Sequence, residues 1–129
     1  MTSAAAQAAT SYTGVFPGRP DQVCHARHQI TRHLTGHPAG NDAALIISEL
    51  ATNAILHSHS AGQFFTVRAQ LHDSHCRLEV EDCGGPWSPP PRDPSRPHGL
   101  DVIEALTGPG NWGVTGDSAG RVVWARLTW

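Results

Sequence analysis

The sequence contains no lysine: all nine of its basic residues are arginine. Any mechanism that needs a lysine amine is thereby excluded. Cysteine is scarce as well. Cys24, Cys76 and Cys83 form no CxxC pair and leave one thiol odd. That pattern points to reduced cysteines and a cytoplasmic location rather than a disulfide framework. No apolar run approaches the roughly 20 residues needed to span a bilayer. The first nine residues, small and polar, have neither the basic start nor the apolar core of a signal peptide. Net charge is slight, −2 with neutral histidines. It gives no electrostatic ground for nucleic acid or an anionic membrane as a partner.

What is present reads as one domain of 129 residues, long enough to bury a core without staples. Residues 1–10 are rich in Ala, Ser, Thr and Gln and read as a flexible N-terminus, leaving 11–129 as the domain. A short edge strand over 11–16 is stopped by Pro17, Gly18 and Pro20. Asp21 is placed to cap a helix running to about Leu34, with Val23, Ala26, Ile30 and Leu34 turned inward. Gly36, Pro38 and Gly40 end it, and Asn41 or Asp42 caps a second helix that finishes near His57.

Residues 64–71 alternate as a strand, with Phe65, Val67, Ala69 and Leu71 on one side. A tight turn over 72–74 leads into a second strand over 76–81, making an antiparallel hairpin. Residues 83–99 are dense in Pro and Gly, and a stretch of that length reads as a lid or binding loop, centred on 86–98. A helix over 100–106 and a closing hairpin, 112–115 with 121–128, complete the chain. The expected class is α+β: a two-layer sandwich with helices on one face of a mixed, mostly antiparallel sheet.

The second helix carries SELATNAILHS, residues 48–58. In a helix Glu49, Asn53 and His57, four apart, share one stripe. Leu45, Ile46, Leu50, Ala51, Ala54 and Ile55 supply the apolar surface that buries the rest. A solvated edge explains any one of these polar groups, but three in line on an otherwise apolar helix call for a use. Glu49 with Asn53 offers a general base and an oxygen ligand for Mg²⁺.

Two more features carry chemistry. Asp82 ends a strand and is followed by Cys83, Gly84 and Gly85, so its carboxylate leaves the sheet where backbone can approach a ligand closely. An Asp-Gly turn is the plainer alternative. His98-Gly99 opens the third helix at Leu100, and a Gly-led helix start suits phosphate.

Taken in order, these pieces resemble the ATP-binding domain of gyrase, the heat-shock chaperones, histidine kinases and mismatch-repair ATPases, the Bergerat (GHKL) fold. Within it the chain is most similar to the bacterial anti-sigma-factor serine kinases and their actinobacterial relatives. SELATNAILHS resembles their N-box, VEDCGGPW the first glycine box and HGLDVIEAL the second. FPGRPDQVCHARHQITRHL resembles their opening strand and helix, and WGVTGDSAGRVVWARL their final hairpin. The resemblance covers nearly the whole chain.

It implies ATP and Mg²⁺ as cofactors, with Asn53 holding Mg²⁺ against the phosphates and Glu49 as general base. Asp82 is implied to read the adenine amino group, with Gly84 and Gly85 giving the base room. His98, Gly99 and Leu100 are implied to meet the phosphates, His57 to line the phosphate side, and the Pro-rich loop to be the lid. The implied function is anti-sigma regulation: binding a sigma factor and phosphorylating a serine of a STAS-domain antagonist (an anti-anti-sigma protein). Pairing of two copies through the sheet side is implied too. The alternative is a non-catalytic, nucleotide-dependent protein-binding switch.

The chain departs from the family pattern at three positions. Pro86 replaces a glycine of the first box, and Pro97, with no N–H to give a phosphate, stands two before Gly99. Val122 stands where many relatives have a threonine that helps hold adenine through water. Two other chemistries fit less well. Nine histidines invite a zinc site, but no four ligands fall in paired spacings. Cys83 beside Asp82 is a poor nucleophile, because a neighbouring carboxylate raises a thiol pKa. Trp87, Trp112, Trp124 and Trp129 read as core and sheet-face fillers.

Overall fold

Alternating apolar and polar residues build the sheet, and the computed structural model of the chain shows it formed. The structure describes residues 10–56, 62–84, 99–117 and 119–129. The expected flexible segment (apart from Thr10), the lid over 86–98, and His57, Gly85 and His98 lie outside them.

Five strands are present: β1 (Thr10–Pro17), β2 (Phe64–Leu71), β3 (His75–Asp82), β4 (Trp112–Gly116) and β5 (Arg121–Thr128). Their order across the sheet is β1-β2-β3-β5-β4. Among the described residues every pairing is antiparallel, in keeping with the expected α+β sandwich on a mostly antiparallel sheet. β1, β2, β3 and β5 alternate in burial, whereas the short outer strand β4 does not. Phe65, Val67 and Ala69 of β2, Cys76, Leu78 and Val80 of β3, and Val123, Ala125 and Leu127 of β5 form one covered face. The opposite face carries a ladder of charges: Arg68 pairs with Glu79 and Glu81, and Arg77 donates to Glu79 while lying 4.7 Å from the Trp124 ring centroid. Such half-exposed pairs contribute roughly 0–1 kcal/mol each.

Three helices lie on the covered face: α1 (Asp21–His33), α2 (Gly40–Leu56) and α3 (Gly99–Thr107). α2 is the central one, touching α1, α3, β2, β3 and β5. That is why its buried surface is wider than a simple stripe. Ile46, Ile47, Leu50 and Ala51 are all 0–1 % exposed. Ile47 lies inside, whereas Leu45, expected inside, is 41 % exposed. Facing α1 and α3 as well as the sheet demands burial across two adjacent positions and leaves only the outermost one to solvent.

Both helix starts differ from expectation. Pro20 occupies the cap position of α1, and Asp21 is the first helical residue, without a side-chain cap bond. Its carboxylate accepts from Arg19 Nε at 3.2 Å instead, which holds it below the usual carboxylate range. α2 begins before Asn41 and Asp42. The His37 ring accepts the Ala39 N–H at 3.0 Å, Gly40 donates to the His37 carbonyl at 3.0 Å, and Gly40 packs against the Leu34 backbone. This local turn starts the helix without an Asx cap.

At one end of the molecule His72 and His75 stack with centroids 4.4 Å apart, and His37 meets Trp129 edge-on at 4.5 Å. His75 Nδ1 is buried with no partner among the described residues, and burial first, then Arg126 and His72, push its pKa below the ordinary 6.5. The unfolded chain therefore takes up that proton more readily, so this contribution to stability is present above pH 6.5 and lost as pH falls below it. The melting temperature of the unaltered protein should fall more between neutral and mildly acidic pH than that of His75→Leu. In the core, Leu50→Ala should cost about 2–5 kcal/mol in denaturant unfolding, whereas Leu45→Ala should cost under about 1 kcal/mol.

Candidate functional site

Asp82 ends β3 in phase with the core, since the alternation that buries Leu78 and Val80 turns it to the helix side. It is 6 % exposed. Gly84, with φ +78°, bends the chain back so that its N–H donates to Asp82 Oδ1 at 2.7 Å. The Asp-Gly turn is therefore present together with burial of the carboxylate.

Directly across the ladder, Asp82 pairs with Arg121, the first residue of β5. Arg121 is 4 % exposed, and its Nε and Nη2 both donate to Asp82 Oδ2 at 3.4 Å. Val122 pairs with Glu81 and belongs to the opposite face, so it does not stand beside the carboxylate. Burial pushes the Asp82 carboxyl up and neighbouring Glu81 adds to this, while the Gly84 N–H and the Arg121 guanidinium pull it down. The balance leaves it above the ordinary carboxylate value.

α2 brings its C-terminal half to the same end of the sheet. Pro17 pairs with Phe64, and the Cys83 thiol donates to the Phe64 carbonyl at 3.4 Å, so Pro17, Phe64 and Asp82 share one edge. α1 starts from that edge. An apolar hollow of about 340 Å³ between Pro20 and Val23 of α1 and Thr52, Ile55 and Leu56 of α2 marks where the end of α2 arrives. Within α2, Ser48 and Thr52 turn their hydroxyls to helix carbonyls at 3.0 and 2.7 Å. Glu49 and Asn53 are half-buried, one turn apart. Among the described residues no hydrogen bond or ion pair engages either side chain. Two polar groups on a packed helix with no partner among the described residues are candidates for a ligand contact.

α3 begins at Gly99, one residue before the expected start, with Leu100 only 9 % exposed and set in the core. Asp101 in its first turn already complements the positive end of the helix dipole. Among the described residues no three His, Cys, Asp or Glu side chains stand close enough to share a metal ion. A divalent cation here fits only if a bound phosphate supplies most of its oxygen ligands, with the Asn53 carboxamide adding one.

The profile of the histidine kinase-like ATPase domain matches residues 16–115, which include α2, Asp82 and the start of α3. The chain belongs to that family. No curated protein sequence matches this ATPase domain. Among solved structures, the RsbU and RsbW domains of Rv1364c from Mycobacterium tuberculosis resemble it with a TM-score of 0.71 at 20 % identity. The match covers 92 % of the domain but only 32 % of that chain, so the domain spans about a third of its length. The likeness is one of fold.

Reading the sequence missed Arg121. Its signal is nevertheless there: in RVVWARL, Arg121 is in phase with Val123, Ala125 and Leu127, which places a cation on the buried side. A buried arginine requires a buried acid. Gly84→Ala should force a left-handed backbone costing about 1–2 kcal/mol. Its thermal melting should be correspondingly lowered, with the Asp82 carboxyl titrating higher once the Gly84 N–H is displaced.

Proposed function

We propose that the ATPase domain binds ATP with Mg²⁺ and acts as an anti-sigma-type regulator, transferring a phosphoryl group to a serine of a STAS-domain antagonist and binding a sigma factor. The observation that carries this reading is the buried Asp82 carboxylate at the same end of the sheet as Glu49 and Asn53, two half-buried groups that engage no described residue. Family membership and the fold shared with the RsbW-containing structure support it.

The roles follow from the chemistry of each group. Asp82 accepts a hydrogen bond from the adenine amino group, an interaction costly to leave unmade at a buried site. Gly84 and Gly85 leave space for the base. Asn53 holds the metal, and His57, His98, Gly99 and Leu100 attend the phosphates. When bound, Mg²⁺ supplies neutralisation of phosphate charge. Glu49, half-exposed and one helical turn from Asn53, takes the proton of the attacking serine hydroxyl. No helix among the described residues is long and apolar enough to cross a membrane.

A second reading, a nucleotide-dependent binding switch without turnover, is favoured by Pro86 and Pro97, which depart from the two glycine boxes. Glu49→Ala separates the two. For a kinase, labelled phosphate transfer from ATP to the antagonist should fall by about 10²–10⁴-fold with ATP affinity unchanged. For a switch, regulation should be indifferent to the change. Calorimetry with ATP and Mg²⁺ should show binding that weakens by about 10–100-fold in a folded Asp82→Asn variant. No heat in the unaltered protein would sink both readings.

A further inference from the structure

The Asp82 carboxylate is occupied on both oxygens by its own protein. Oδ1 accepts from the Gly84 N–H at 2.7 Å, and Oδ2 accepts from Arg121 Nε and Nη2 at 3.4 Å. An ionised carboxylate offers about four lone-pair sites, so one place on Oδ1 is left for a ligand donor. What that place accepts depends on protonation. A carboxylate accepts only, whereas a carboxylic acid also donates, and can then meet a carbonyl as well as an amino group.

The surroundings push towards the acid. The carboxyl is 6 % exposed and Glu81 stands beside it on β3. Against them, Gly84 contributes a backbone N–H and β5 contributes Arg121, itself 4 % exposed and opposite Asp82 in register. A group so placed acts on the ligand through its neighbour rather than by contact.

We infer that Arg121 is a positioning residue that sets the base selectivity of this pocket, holding Asp82 as an acceptor-only carboxylate. The site therefore takes a purine with an exocyclic amino group and refuses its 6-oxo counterpart. This rests on Asp82 being the base-recognising group of the proposed nucleotide pocket. It gives Arg121 the place assigned in the sequence to Val122, but by charge instead of through water.

The test compares ATP with inosine triphosphate, both with Mg²⁺, by calorimetry between about pH 5.5 and 8.5. The proteins are the unaltered one, Arg121→Gln and Arg121→Lys, with folding checked by circular dichroism. In parallel, carbon NMR follows the Asp82 carboxyl without nucleotide. The unaltered protein should prefer ATP by at least about tenfold at every pH. In R121Q the carboxyl should titrate higher, ATP affinity should fall by about tenfold or more at the acid end and recover as pH rises, and the preference should shrink with it. R121K, which keeps the charge, should restore the preference. Arg121→Met serves in place of R121Q if the latter does not fold.

An R121Q protein with the unaltered preference at every pH would overturn the inference, as would an R121K protein no better than R121Q. If the unaltered protein binds neither nucleotide although the carboxyl shifts in R121Q, the pocket reading itself has failed and the pair is structural only. If nucleotide binds and neither profile moves, the pocket stands and the role given to Arg121 falls.

Discussion

The molecule depends on α2 lying across the middle of the sheet. Strands β2, β3 and β5 each present an apolar row, and a five-stranded sheet with that face open would expose Phe65, Val67, Leu78, Val80 and Ala125 to water. α2 covers the row with Ile46, Ile47, Leu50, Ala51 and Ala54, and α1 and α3 close the flanks. Burial of apolar area is the dominant favourable term in folding, and here it acts through one helix. The same contact decides where polar groups can go. Glu49 and Asn53 are left only half-covered on the helix that packs against β3.

The candidate site is thus a by-product of packing in one sense and an exception to it in another. Asp82 and Arg121 sit in positions that the strand alternation reserves for apolar residues. Neither is tolerable alone, since an unpaired buried charge costs several kcal/mol by order of magnitude. Together they satisfy one another across the ladder, and Gly84 takes one of the two acceptor places on the other oxygen. A structure selected only for stability would place two aliphatic residues there, because well-packed hydrophobic pairs match or exceed buried ion pairs. Their presence at the ends of β3 and β5 is therefore not explained by stability alone.

Much of this was legible in the sequence because it is local. The strand over 64–71 and the strand over 121–128 show period-two alternation that tertiary context reinforced, and both end where read. The segment over 40–56 has the apolar content of a central helix. The misreadings have local causes as well. Asp21 and Asn41 are good cap residues, yet Pro20 and the His37 turn set the starts instead, and Leu45 faced out because α2 has neighbours on three sides. For Arg121 the phase was legible but the partner was not, for a different reason. Its meaning depends on the register of β5 against β3, strands separated by α3 and β4, and no short-range pattern encodes that register. The roles of Glu49, Asn53, Asp82 and the rest came from the ordered boxes and not from geometry.

The sheet order β3-β5-β4 has a kinetic side. Asp82 and Arg121 are 39 residues apart, and β5 must insert between β3 and a strand that precedes it in the chain. Closing a loop of that span costs entropy before any contact offsets it, and such non-local pairings slow folding. The β1–β2–β3 part of the sheet and the α1–α2 pair are complete without β5, whereas the charge pair is not. Until β5 docks, Asp82 stands at the edge of an open sheet, where it discourages another strand from pairing. The acid that ends buried against Arg121 is, until that pairing forms, an inward-pointing charge on an open sheet edge.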